Sequence, residues 1–234
     1  MATFVLVHGA WGGAHGWRKV RRLLRQQGHE VFTPSLTGIG ERAHLTSPQV
    51  NVSTHIDDVV NMVYYEDLAP ITLVGFSYGG MVVTGALAAL ADRVEHLVFL
   101  DAFVPTDGQR VSDLVPLTNF ASGDWLIPPL PRTLDDPAET EWNNQRRSHQ
   151  PIRTFTEPVN LTQPLEDFAF SLTYIKALDD SAPSDPSGPE PLGPFWAAAA
   201  RAQADARWRY HEINGNHMIP FNQPAELVAI LTAL

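Results

Sequence analysis

Ser77 sits at the centre of Gly75-Phe76-Ser77-Tyr78-Gly79, after the apolar run Ile71-Thr72-Leu73-Val74 and before the small apolar run from Met81 to Leu90. A strand, a sharp turn with Ser at its tip and a following helix make up the context in which G-x-S-x-G carries chemistry. The turn predicts a strained backbone at Ser77, and its glycines let neighbouring backbone pass without a Cβ clash. A hydroxyl held at a helix N-terminus has backbone N–H groups and a dipole that favour negative charge beside it. That environment suits attack on a carbonyl carbon. A serine hydroxyl is a poor nucleophile at neutral pH, so it needs a general base, usually His, and a group that orients the His and stabilises its cation. His217, in Asn214-Gly215-Asn216-His217-Met218, directly follows the last predicted strand and precedes a helix. Asp180 lies just after a strand ending near Ala177, with Asp179 beside it, and Asp101 ends the strand after the elbow. On spacing alone, all three carboxylates are open as the partner of His217.

The elements that must position these groups alternate. Phe4-Val5-Leu6-Val7 is continuously apolar, as a parallel strand covered on both faces should be. The Gly-rich turn His8-Gly9-Ala10-Trp11-Gly12-Gly13 follows. Trp17, Val20, Leu23 and Leu24 then recur at helical spacing with Arg18, Arg21, Arg22 and Arg25 opposite, and Gly28 is a natural stop. Val31-Phe32-Thr33 is a second predicted strand, and residues 34–52 are predicted loop. A helix start is expected at Thr54-His55-Ile56-Asp57, with an apolar stripe of Ile56, Val59, Val60 and Val63. Further strands are expected at His96–Asp101, Leu172–Ala177 and Arg207–Ile213, and further helices at Phe195–Ala206 and Pro224–Leu234. Strands alternating with helices imply an α/β fold with a mostly parallel central sheet flanked by helices. Between them lies a proline-rich stretch with scattered aromatics, too long for plain loop. It is read as a small inserted cap over 105–170, with the core formed by 1–104 and 171–234.

Composition narrows the classes of partner. The chain has 234 residues, enough for one domain with a sizeable core, and its formal net charge of −10 disfavours nucleic acid. It contains no cysteine, which removes disulfides, a thiol nucleophile and thiolate metal sites. The start of the sequence has no basic leader, and no apolar run reaches the ~20 residues that span a bilayer. Together these point to a cytoplasmic protein without a membrane partner, and they leave a homodimer open.

Four motifs in order give the chain a family resemblance. They are Val5-Leu6-Val7-His8-Gly9-Ala10-Trp11, Gly75-Phe76-Ser77-Tyr78-Gly79-Gly80, Phe99-Leu100-Asp101-Ala102-Phe103-Val104-Pro105 and Gly215-Asn216-His217-Met218. With them the sequence resembles the α/β-hydrolase superfamily, and within it the small-cap branch that includes plant methylesterases and hydroxynitrile lyases. The resemblance covers nearly the whole chain. It implies Ser77 as nucleophile, His217 as base and Asp180 as acid, which is the superfamily's chain order. It also implies an oxyanion hole from the backbone N–H groups of Ala10 and Tyr78, and no metal or organic cofactor. Hydroxynitrile lyases of this branch need Thr after the loop His and Lys after the base His, where this chain has Gly9 and Met218. No side-chain cation is then present at that place to hold a leaving anion. The expected reaction is therefore hydrolysis of a small carboxylic ester, with a lactonase, a hydroxynitrile-lyase-type enzyme or a small-molecule receptor as rival readings. Trp11, His15, Phe120, Trp125, Leu126 and Met218 are the expected pocket residues, with Ile127 and Trp142 as further apolar cap positions. His15 departs from the family, where an aromatic is common. The rate is expected to rise as His217 loses its proton, with a midpoint near about 6.5–7.

Overall fold

Apolar runs that alternate between two faces build the sheet. The computed structural model describes residues 1–115, 117, 124–178 and 193–234. Its strands are β1 (Thr3–Val7), β2 (Glu30–Phe32), β3 (Ile71–Phe76), β4 (Val94–Leu100), β5 (Leu126–Ile127), β6 (Gln150–Pro151), β7 (Ser171–Ala177) and β8 (Trp208–Ile213). Six of them form one sheet in the order β2-β1-β3-β4-β7-β8, and β5 and β6 form a separate ladder. Every neighbouring pair in the large sheet is parallel, while β5 and β6 are antiparallel.

The helices are α1 (Arg18–Gln26), α2 (Val52–Tyr65), α3 (Gly79–Leu90), α4 (Val111–Leu114), α5 (Pro137–Asn144), α6 (Arg153–Thr156), α7 (Pro194–Ala204), α8 (Ile219–Asn222) and α9 (Pro224–Thr232). Along β1, Val5 and Val7 enter one core cluster with residues of α2, α3 and α7, while Phe4 and Leu6 enter the other with residues of α1 and α9. Strands β3, β4 and β7 split the same way, as the two-residue period of a strand requires. Helices cover both faces, so all six residues of β3 are buried and its sequence reads as a nearly continuous apolar run with Thr72 as its polar member.

Helix α2 begins at Val52, earlier than the apolar stripe suggests. Asn51 supplies the reason: its side chain accepts the Thr54 N–H at 2.9 Å, and the Thr54 hydroxyl oxygen accepts the Asn51 N–H at 3.4 Å. This reciprocal cap satisfies donors that would otherwise stay unpaired at the helix start. Within the expected loop, Gly40–Leu45 forms a 3-10 turn.

Strand order fixes where chemistry can sit. β1 lies between β2 and β3, so the segments leaving the carboxyl ends of β1 and β3 diverge and open a crevice. Those segments are His8–Gly13 and the Ser77 turn. The stretch between β4 and β7 carries α4, β5, α5, β6 and α6. It is tied to the β1 segment through Trp11: its N–H donates to Gln150 Oε1 at 3.0 Å, and its indole N–H donates to the Ile127 carbonyl at 3.2 Å.

Candidate active site

Ser77 has φ 56°, a left-handed value that costs a non-glycine residue about 1–3 kcal/mol. The surroundings over-determine it. The Ser77 N–H donates to the Leu100 carbonyl at 3.2 Å, and the Ser77 carbonyl accepts from Phe103 N at 3.2 Å and Gly80 N at 3.1 Å. At Gly79 an added Cβ would fall 2.7 Å from the Val7 carbonyl oxygen, so only glycine lets the elbow sit this close to β1.

The Ala10 and Tyr78 backbone N–H groups donate to no acceptor among the described residues. A buried histidine braces the segment that carries each of them. Leu36 N–H donates to His8 Nε2 at 3.1 Å, which leaves the proton on Nδ1, 2.9 Å from the Gly9 carbonyl. His55 Nε2 donates to the Thr37 carbonyl at 2.8 Å, so its Nδ1 accepts from the Tyr78 hydroxyl at 2.9 Å. Burial lowers both imidazoles from 6.5 to about 4, because the cation would lie in a dry interior. Burial also pushes the Tyr78 phenol well above its usual 10, so it stays a donor.

His217 follows β8 and is buried between two rings, Phe76 at 4.8 Å and Phe195 at 5.3 Å between centroids. Its Nδ1 lies 2.7 Å from Asp101 Oδ2. Asp101 ends β4 with φ 38° and no exposed surface, and its N–H donates to the Ile175 carbonyl at 2.7 Å. Its second oxygen, Oδ1, lies 2.9 Å from Lys176 Nζ. Thus, of the three candidate carboxylates, the structure joins Asp101 to His217. Asp180, which the family pattern favours, and Asp179 lie outside the described residues, as does Phe120.

The other expected pocket residues are distributed. Trp11 is buried and packs edge-on against Phe155 at 5.7 Å. Trp125 and Leu126 lie at the small β5–β6 ladder and are partly buried, whereas Ile127 is fully buried. Trp142 is clasped by the Arg18 and Arg146 guanidiniums at 4.0 and 4.2 Å, which makes it a structural bracket. His15 lies 3.6 Å from Glu41 Oε2 and with Met218 borders a cavity of about 30 Å³ beside the His8–Gly13 segment. Ser77 and His217 are not in that cavity's walls. Sequence reasoning passed over Lys176 and the role of His55. A lysine inside the apolar run of β7 was a usable signal, since lysine is almost never fully buried unless paired.

Residues 4–230 match the model of the alpha/beta hydrolase family. The chain belongs to that family. A carbendazim hydrolyzing esterase from Nocardioides sp. (strain SG-4G) is 39% identical across 100% of both chains. Methylesterase 8 of Arabidopsis thaliana is 32% identical over 53% of this chain and 46% of its own. Among solved structures, an extracellular alpha/beta-hydrolase from a Paenibacillus species, described as homologous in structure and function to tobacco salicylic acid binding protein 2, has a TM-score of 0.81 at 26% identity. The alignment covers 100% of this chain and 98% of that one. An enzyme of the esterase and hydrolase type on the alpha/beta-hydrolase fold is thereby supported. Among the described residues, no helix is long and apolar enough to cross a membrane.

Proposed function

We propose that the protein is a serine-dependent hydrolase of small carboxylic esters, working through an acyl-enzyme. The observation that carries this reading is the buried His217–Asp101 hydrogen bond at 2.7 Å, set beside the strained Ser77 elbow. With its Nδ1–H donating a hydrogen bond to Asp101 Oδ2, His217 keeps Nε2 unprotonated and able to accept a proton from Ser77. Nδ1 carries a single proton, so Asp101 takes the role of triad acid. Ser77 Oγ attacks the ester carbonyl, and the oxyanion accepts the Ala10 and Tyr78 N–H groups, each worth about 2.7–4 kcal/mol in comparable sites. His217 then protonates the departing alcohol. In the second half, His217 activates water, which cleaves the acyl-Ser77 ester and restores the hydroxyl. Ser77 Oγ and His217 Nε2 share no hydrogen bond here; such contacts often close only in the substrate complex.

Gly9 supports hydrolysis over cyanohydrin cleavage. A Cβ at Gly9 would fall 2.9 Å from Ser77 Cβ, so the threonine that lyases of this branch need has no room. Residues 105–170 would act as the cap that supplies the apolar acyl site. The names of the relatives make methyl esters and carbendazim the substrates to try after generic esters. The deciding experiment is pre-steady-state release of p-nitrophenol from short-chain esters by wild type and Ser77→Ala. A burst equal to the enzyme concentration, lost in the variant, is expected. Turnover that survives Ser77→Ala would sink the reading.

A further inference from the structure

Lys176 is fully buried, and its charge has no place in the reaction just described. Its Nζ lies 2.9 Å from Asp101 Oδ1 and 2.6 Å from the Ala177 carbonyl, and 4.3 Å from the centroid of the Trp196 ring. The two oxygens of Asp101 are thereby divided: Oδ1 faces Lys176 and Oδ2 faces His217. We propose that Lys176 is a positioning residue that keeps Asp101 ionised, fixes its carboxylate toward His217, and offsets the charge that would otherwise draw a proton onto the imidazole.

A carboxylate without exposed surface is costly unless paired and hydrogen-bonded. With Lys176 in place, the buried Asp101 carboxylate already faces a cation before His217 accepts the Ser77 proton. Without Lys176, the compensating cation nearest to hand is His217 itself, which would take a proton from solvent and cease to be a base. Among the described residues, the other polar groups around the pair do not supply that charge. Tyr174 spends its hydroxyl on Ala102 and Phe195, with its proton held firmly by burial. Glu212, beside Lys176 in the β7–β8 register, is exposed and accepts from Tyr210 at 3.0 Å. Phe76 and Phe195 close His217 with apolar rings. Asp179 and Asp180 follow on the same chain outside the described residues.

The proposal rests on the ester-hydrolase reading only for its kinetic test. Lys176→Met and Lys176→Gln remove the charge, and the second keeps a hydrogen-bond donor for Asp101. Both should move the acid limb of the kcat/KM–pH profile upward by about one pH unit or more, so that activity on that limb falls about tenfold. Burst amplitude at alkaline pH should be retained, and Lys176→Arg should keep the wild-type limb. The His217 Nδ1 proton, followed by NMR across the same pH range, should titrate at correspondingly higher pH in Lys176→Gln. That signal requires no turnover, so it judges Lys176 even if the p-nitrophenyl ester burst is absent and the hydrolase reading falls. An unmoved limb with a full burst, or an unmoved Nδ1 titration in a folded Lys176→Gln protein, would overturn the proposal.

Discussion

Acidification from pH 7 to pH 5 should cost the native state about 4 kcal/mol through two buried histidines outside the proposed triad. His8 and His55 are buried, each accepts a hydrogen bond at one ring nitrogen, and each is lowered from 6.5 to about 4 by burial. Their native pKa is below the unfolded one, so unfolding takes up protons and stability is lost as pH falls from 6.5 toward 4. At pH 5 the unfolded imidazole contributes a binding factor of about 33 and the native one about 1.1; RT ln of their ratio is about 2 kcal/mol per histidine. The loss levels off below about pH 4, where the native rings also protonate. The carboxylates that the fold lowers, Glu41, Glu166 and Asp205, act below this window. Glu41, held down to about 2 chiefly by His15, loses its contribution only as pH falls from its unfolded value of 4.5 toward 2. His96, also lowered by burial, acts in the same direction as His8 and His55 but is only partly buried.

Against a typical 5–15 kcal/mol of domain stability, a loss of about 4 is large and measurable. Urea unfolding at pH 7, 6 and 5 gives the slope, with His8→Asn and His55→Gln as controls. Each variant should be less stable at pH 7, because a hydrogen bond is disturbed, yet each should lose about half of the pH dependence. Wild-type stability that stays level between pH 7 and 5 would refute the reasoning. So would a full slope persisting in both variants. Protonated His8 can no longer accept from Leu36, nor protonated His55 from Tyr78, so the oxyanion segment and the elbow should loosen first.

Two further substitutions test the site geometry. Asp101→Asn keeps the size of the side chain but lets its amide meet His217 in the wrong tautomer; kcat should fall about 10³–10⁴-fold with KM little changed, and a loss under tenfold would remove Asp101 from the triad. Gly9→Ala places a methyl 2.9 Å from Ser77 Cβ and must displace the elbow; a loss of about 10- to 100-fold in kcat is expected with far-UV circular dichroism unchanged, and full activity would show that the close approach does not constrain catalysis.

The fold was legible because each sheet strand announces itself by period or by burial. Phe4 to Val7 is apolar throughout and Ile71 to Val74 nearly so, with only Thr72 polar, since helices cover both faces, and turn residues separate them from helical stripes. The start of α2 was not, because Asn51 and Thr54 act as a cap through side-chain bonds that leave the apolar stripe unchanged. Ser77 and His217 stood out for a related reason: each follows a strand directly, so chain position alone puts it at the carboxyl edge of the sheet.

Asp101 meets its partners across the sheet, where sequence spacing has no reach. Asp101 and Asp180 both follow strands, and both satisfy a spacing argument to within a residue or two. For Asp101, register supplies the partners. Leu100 pairs with Ile175, so the next residues, Asp101 and Lys176, arrive side by side at the ends of β4 and β7. The left-handed turn at Asp101 then leaves its carboxylate between Lys176 on one side and His217 on the other. A one-residue shift of β7 against β4 would bring Ala177 to that place and leave the carboxylate buried without its cation. Pairing of two strands more than 70 residues apart in the chain thus gives Asp101 its buried cation, and in the proposed mechanism a carboxylate that stays charged is what stabilises the His217 cation.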